Sequence, residues 1–157
     1  MGQRRRGREF ALQMLFQIDL IGSSPDEVFT YFWDDQERFD EQRNFAEDLV
    51  RGVHEHRAEL DERIVGSARN WKLERMSTVD RNVLRLAVYE LLHQPYTPAA
   101  VILDEAIEVA KKFGSEQSGS FVNGLLDNMR RELRPKERTR TAAAGDAADE
   151  AAGNGED

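Results

Sequence analysis

Three histidines, a set of helix-borne carboxylates and no cysteine are the raw material for chemistry in this 157-residue chain. Glu90-Leu-Leu-His93 has the Glu-x-x-His spacing that sets two metal ligands on one helix face in di-iron bundles. Such a centre needs a second copy and two further glutamates, and the sequence holds no second copy. His54-Glu55 begins like the His-Glu-x-x-His of a zinc protease, but Ala58 stands where the second histidine belongs. Without cysteine, thiol nucleophiles, zinc knuckles, iron–sulfur sites and disulfides are excluded. Glu105 and Glu108, one turn apart beside Asp104, could pair as acid and base. On the outer face of an amphipathic helix they read instead as a solvated charged surface. No Gly-x-Ser-x-Gly elbow and no Gly-rich loop followed by Lys-Ser/Thr occurs. The expectation is a binding protein and not an enzyme, with no metal and no cofactor.

Binding chemistry gathers in two places. The stretch from Lys111 and Lys112 through Gly114, Gln117 and Phe121 to Gly124 reads as a helix end, a small-residue loop and a helix start. The free amides of a helix start suit phosphate or carboxylate. Phe121 departs from the stripe of Val122, Leu125 and Met129, which leaves two readings. Its ring stacks an unpaired base while Lys111, Lys112, Gln117 and Asn123 surround it, or it caps the core between helices. The second place is the amino terminus, where Arg4, Arg5, Arg6 and Arg8 run into a helical pattern. They are either a solvated tail or a cationic cluster at a helix start, where positive charge opposes the macrodipole unless an anion binds.

The net charge of −8 conceals an uneven distribution. Residues 1–8 hold four arginines and no acid, residues 130–140 six bases against two acids, and residues 141–157 five acids and no base. An acidic body with basic ends repels a polyanion over most of its surface, so a nucleic-acid contact should be local.

The elements that must position these groups are helices. Apolar residues recur at helical spacing, and period-2 runs rich in β-branched residues are missing. A first helix is expected from Arg4 to Ile21, with Ala11, Met14, Leu15, Ile18 and Ile21 on its inner face. Ser24 caps a second, opened by Pro25, that buries Val28, Phe29, Phe32 and Trp33. One long helix then carries Phe45, Leu49, Val53, His56, Leu60 and Ile64. After a short turn at residues 70–76, Ser77 and Asp80 have capping-box spacing ahead of Val83, Leu84, Ala87, Val88, Leu91 and Leu92. Thr97 and Pro98 repeat the cap-plus-proline start, and Gly114 closes that helix in the αL position. A last helix runs from about Ser118 and frays near Pro135. The chain divides into one helical domain, residues 1–138, and an acidic Ala/Gly-rich tail, residues 139–157, with almost nothing to bury and expected to be disordered. No apolar run approaches the ~20 residues of a membrane span, and the amino terminus lacks a signal-like apolar core, so a cytoplasmic protein is expected.

Four separated motifs carry a resemblance. They are Arg-Arg-Gly-Arg-Glu-x-Ala-Leu-Gln-x-Leu-Phe at 5–16, Val-Asp-Arg-Asn-Val-Leu-Arg-Leu-Ala-x-Tyr-Glu-Leu at 79–91, Ile-x-x-Ala-Lys-Lys-Phe-Gly at 107–114 and Phe-Val-Asn-Gly-x-Leu-Asp at 121–127. In this order they resemble the NusB family of bacterial transcription antitermination factors, over residues 4–135. The resemblance implies an all-α bundle of two three-helix halves, about seven helices with the short turns, and no catalysis. It implies that the chain pairs with the ribosomal protein NusE on single-stranded boxA-type RNA of ribosomal RNA operon leaders. That pair joins other Nus factors on the RNA polymerase elongation complex, and a homodimer is an alternative assembly. By motif, RNA would meet Arg5, Arg6 and Arg8, with Arg4 adjacent, and Gln117 and Phe121; NusE would meet Glu74, Asp80, Leu84 and Arg85. Gln117 stands where some members carry an acid, a loss of negative charge that should favour RNA. Two readings compete: a protein–protein adaptor with idle arginines, and the RNA-binding module of a ribosomal RNA methyltransferase, of which this chain would be a fragment.

Overall fold

A computed structural model describes residues 2–35 and 40–137. Seven α-helices are present among them: α1 Gly2–Ile21, α2 Pro25–Phe32, α3 Asp40–Glu55, α4 Arg57–Ser67, α5 Thr78–His93, α6 Ala99–Phe113 and α7 Ser118–Leu133. Short 3-10 turns follow α2 at Trp33–Asp35 and precede α5 at Leu73–Arg75, and no strand occurs among the described residues. The expected acidic tail lies outside these residues.

Local chemistry explains most boundaries. Ser24 Oγ accepts from the Glu27 amide while Glu27 returns a bond to the Ser24 amide, a full capping box with Pro25 at the first position. Ser77 Oγ accepts from the Asp80 amide at 3.0 Å to start α5. Other boundaries differ from the sequence expectation. The single long helix is two, broken at His56, whose backbone (φ −104°, ψ 15°) leaves the helical range. The first half therefore holds four helices and not three. Thr97 is buried and does not cap α6; Pro98 holds that position without a side-chain bond. Glu137 accepts from the Ala99 amide at 2.7 Å, so the cap comes from beyond α7. Gly114 is extended (φ −102°, ψ −159°) and not left-handed. Glycine is needed there for space, because a Cβ would strike Ser118 and lie 2.8 Å from the Ala110 carbonyl. Ile21, expected inside, is exposed at the end of α1, and Trp33 sits in the 3-10 turn, half-buried.

The axis of the bundle is α5, which packs against α1, α3, α4, α6 and α7. A helix enclosed on all sides buries its polar residues as well as its apolar stripe: Asn82, Arg85 and Glu90 are buried with Val83, Leu84, Leu86, Ala87, Val88 and Leu91. Polar groups withdrawn from water must be matched. Arg85 forks onto Asp61 at 2.7 and 3.2 Å and also donates to Asp19 at 3.1 Å. Asp19 further accepts from Arg81 at 2.8 Å and Asn82 at 2.9 Å, tying α1 and α4 to α5. At the far end of α5, Arg134 donates to the carbonyls of Glu90, Leu91, Gln94 and Thr97. An orphaned helix C-terminus thereby gains a cationic cap. Phe10, Phe32 and Trp33 close the first half edge-to-face, with centroids 4.9–5.9 Å apart.

Burial pushes the Asp19 carboxyl up, but the bonds from Arg81 and Asn82 and the charges of Arg85 and Arg81 outweigh it and hold the group below its ordinary 3.8. A depressed carboxylate adds stability above its unfolded value and loses it as pH falls through the folded one. Asp19→Asn should therefore lower the melting temperature at neutral pH and flatten its decline on acidification below about pH 4. Thermal melts of both proteins across that range check this expectation.

Candidate nucleic-acid interface

The amino-terminal arginines are sorted by the helix that carries them. In α1, Arg8 faces α5, where its guanidinium forks onto Glu90 at 2.9 and 2.7 Å with both side chains almost wholly buried. Arg8, expected on the RNA side, is thus an internal strut with 3% of its surface exposed. One turn earlier, Arg5 forks onto Glu105 of α6 at 2.9 and 2.8 Å and is about one-third exposed. That bond, against burial, holds the Glu105 carboxyl below the usual carboxylate range. Arg4 and Arg6 face solvent. The Arg4 guanidinium lies 4.9 Å from the Phe45 ring centre, with Arg8 5.4 Å from the same ring, and Arg6 lies 5.2 Å from the Phe10 ring. Such contacts between guanidinium and ring restrain the charged heads.

From this cluster a seam of cations paired with carboxylates follows α1 against α6. Arg5 meets Glu105, and further along both helices Lys112 Nζ lies 3.0 Å from Glu9. Seven residues of α6 separate Glu105 from Lys112, about 10 Å at the helical rise. Lys111 is exposed, and its stem runs over Gly119 at the start of α7, where an added Cβ would sit 3.1 Å from it. Gln117 is exposed at the end of the loop, whose turn is fastened by the Ser115 amide donating to Ser118 Oγ at 2.9 Å. The structure therefore joins Arg4, Arg5, Lys112, Lys111 and Gln117 along one path.

Phe121 is half-buried and lies edge-to-face on Trp71, with centroids 5.3 Å apart. Two residues beyond Gly119, it stands about 200° around α7 from the seam, so a strand following the lysines reaches it only by crossing the first turn of α7. Trp71 itself is 54% exposed and was missed by sequence reasoning. It sits in a connection without periodicity, and only its being a tryptophan among polar neighbours could have marked it. Tyr96, 96% exposed beside Arg4, Arg5 and Pro98, was missed for the same reason. Arg130 and Arg134 of the carboxy-terminal basic cluster are internal, the latter capping α5. Their charge is spent inside.

The residues expected on the partner side divide in two. Glu74 is exposed and Asp80 half-buried, on the turn before α5 and its first turn. Leu84 is fully buried and Arg85 is buried in its bonds to Asp19 and Asp61. Neither can touch another molecule, because consecutive faces of the axial helix are covered. Next to Asp80 opens an apolar groove lined by Leu12, Phe16, Val79 and Phe113 with Gln13 and Gln17. Leu20 and Ile21 continue α1 beyond it, 61% and 69% exposed. None of the four apolar residues of this α1 edge was singled out as a contact, since Leu12 and Phe16 also fit the inner stripe.

These features define an all-helical bundle whose polar axis is sealed and which brings the amino-terminal arginines and the α6 lysines to one seam between α1 and α6. A family model described as the NusB family matches residues 5–131. The transcription antitermination protein NusB of Sorangium cellulosum is 51% identical over 140 residues, covering 89% of this chain and all of that protein. The structure of T. maritima NusB aligns with a TM-score of 0.74 at 36% identity, covering 88% of this chain and 94% of that one. A crystal structure of the antitermination factors NusB and NusE in complex with double-stranded RNA aligns at 0.76 and 28% identity, over 84% and 98%. The chain belongs to the NusB family. No helix among the described residues is long and apolar enough to cross a membrane.

Removing one partner of a buried ion pair strands the other. Arg8→Ala should cost about 3–5 kcal/mol in urea unfolding, whereas Arg6→Ala should change stability by less than about 1 kcal/mol.

Proposed function

We propose that this chain is a non-catalytic transcription antitermination factor. Its helical unit, residues 1–138, binds single-stranded boxA-type RNA of ribosomal RNA operon leaders together with a NusE-type ribosomal protein. The pair then works with other Nus factors on elongating RNA polymerase to keep ribosomal RNA transcription processive. The observation that carries the reading is the solvent-facing pair Arg4 and Arg6, anchored by the buried Arg8 one turn away and continued along α6 to Lys112, Lys111 and Gln117. A related structure holds NusB, NusE and RNA in one complex, which supports both partners.

The seam supplies local positive charge on an otherwise acidic body, so phosphates are met by few contacts and the isolated chain binds weakly. Phe121 with Trp71 offers ring surface for a base emerging over the α7 start. The apolar groove gives a basic ribosomal protein an anchor, and Asp80 beside it with the exposed Glu74 gives a complementary charge. Affinity for RNA rises when that partner adds its own cations.

Titration of labelled boxA-type RNA at two salt concentrations, with and without the NusE-type partner, tests the reading. Arg4→Ala with Arg6→Ala should weaken binding and reduce the salt slope by about 0.7 for each phosphate that the two arginines neutralise, with melting unchanged. Phe121→Ala should cost about 1–3 kcal/mol of RNA binding if the ring stacks; a core role shows as lost stability instead. Salt-insensitive or absent binding in both settings would make the chain a protein adaptor.

A further inference from the structure

The two histidine motifs that fail as metal sites along single helices are replaced in three dimensions by a different grouping. His56 stands at the break between α3 and α4, Glu59 one turn into α4, and His93 is the last residue of α5. His93 Nε2 lies 3.2 Å from Glu59 Oε1, and the His56 and His93 rings are 4.1 Å apart between centroids. One ligand atom from each of the three lies within 4.8 Å of the others. His56 Nδ1 is 2.9 Å from the Gly52 carbonyl. As a donor there, it fixes the tautomer and leaves Nε2 with a free lone pair, the second-sphere arrangement that orients imidazole ligands. Tyr89 stacks on the His93 ring at 5.0 Å and lies 5.8 Å from the His56 ring, so the three rings pack together.

We infer that His56, Glu59 and His93 form a three-ligand site for a divalent ion of the zinc class, clasping the α3–α4 break to the carboxy-terminal end of α5. Two imidazoles and one carboxylate suit zinc, cobalt or nickel, while magnesium and calcium take oxygen donors. Three protein ligands leave a fourth position for water. Tetrahedral bonds of about 2.0–2.1 Å bring ligand atoms to about 3.4 Å, and the exposed Glu59 and His93 side chains close that gap by rotation alone. The nearest cation in sequence, Arg57, is turned to Asp19 and Asp61. The α5 carboxy-terminal dipole adds negative potential at His93.

The full-length untagged chain, stripped with chelator, is titrated with cobalt(II) by calorimetry and ligand-field absorption, with zinc and magnesium as competitors. One ion per chain is expected, displaced by zinc and not by magnesium. His93→Ala and Glu59→Gln should each weaken binding at least about tenfold. His54→Ala, exposed on α3 outside the trio, should leave it unchanged, and circular dichroism should show each variant folded. Binding that survives His93→Ala, falls equally with His54→Ala, or is absent at about millimolar metal (a free energy near −4 kcal/mol) overturns the site.

Discussion

The buried fork between Arg8 and Glu90 is the constraint from which the surface follows. Two full charges lie almost out of water, and only the bidentate geometry with Glu105 4.0 Å away makes that tolerable. A pair of this kind permits one register of α1 on α5, since sliding either helix by a residue separates the fork. With Arg8 fixed, the turn before it is fixed too: Arg4 falls beside Phe45, Arg5 onto Glu105, and Arg6 outward. The interior pair therefore aims the exterior cations.

The same logic governs several other arginines. Arg81 and Arg85 converge on Asp19, Arg134 gathers four carbonyls at the end of α5, and Arg130 is buried. Guanidinium suits these places because its planar fork meets carboxylates and carbonyls at several points while staying charged. What the molecule presents to a polyanion is thus smaller and more localised than the count of basic residues along the chain. Charge localised in this way attracts a polyanion at one place and leaves an acidic surface that repels it elsewhere.

The helices were legible because each carries an apolar stripe and several carry a side-chain cap or a proline start, signals written in neighbouring residues. The break at His56 was not, because the stripe of Val53, Leu60 and Ile64 continues across it. The inward polar face of α5 was invisible for a related reason. Asn82, Arg85 and Glu90 sit where an amphipathic helix would show solvent-facing residues, and only tertiary enclosure reverses that reading. Arg4, Arg6, Lys111 and Gln117 are expected at the candidate interface from residue type and position, and all four are exposed. Arg8, Leu84 and Arg85 share motifs with exposed residues, and a motif does not say which of its members point inward.

Rigidity at one edge and openness at the other give the two faces different physical characters. The cationic seam lies over ion pairs and cation–π contacts that hold its side chains in place before any ligand arrives, which lowers the entropy cost of contact. The opposite end of α1 shows Phe16, Leu20 and Ile21 beside Val79 and Asp80, where apolar area rather than fixed charge is on offer. Burying that area calls for a protein partner, since single-stranded RNA contributes phosphates and base faces but little aliphatic surface. One helix therefore offers two surfaces of unlike chemistry at its two ends, and the Arg8–Glu90 strut holds the first in register.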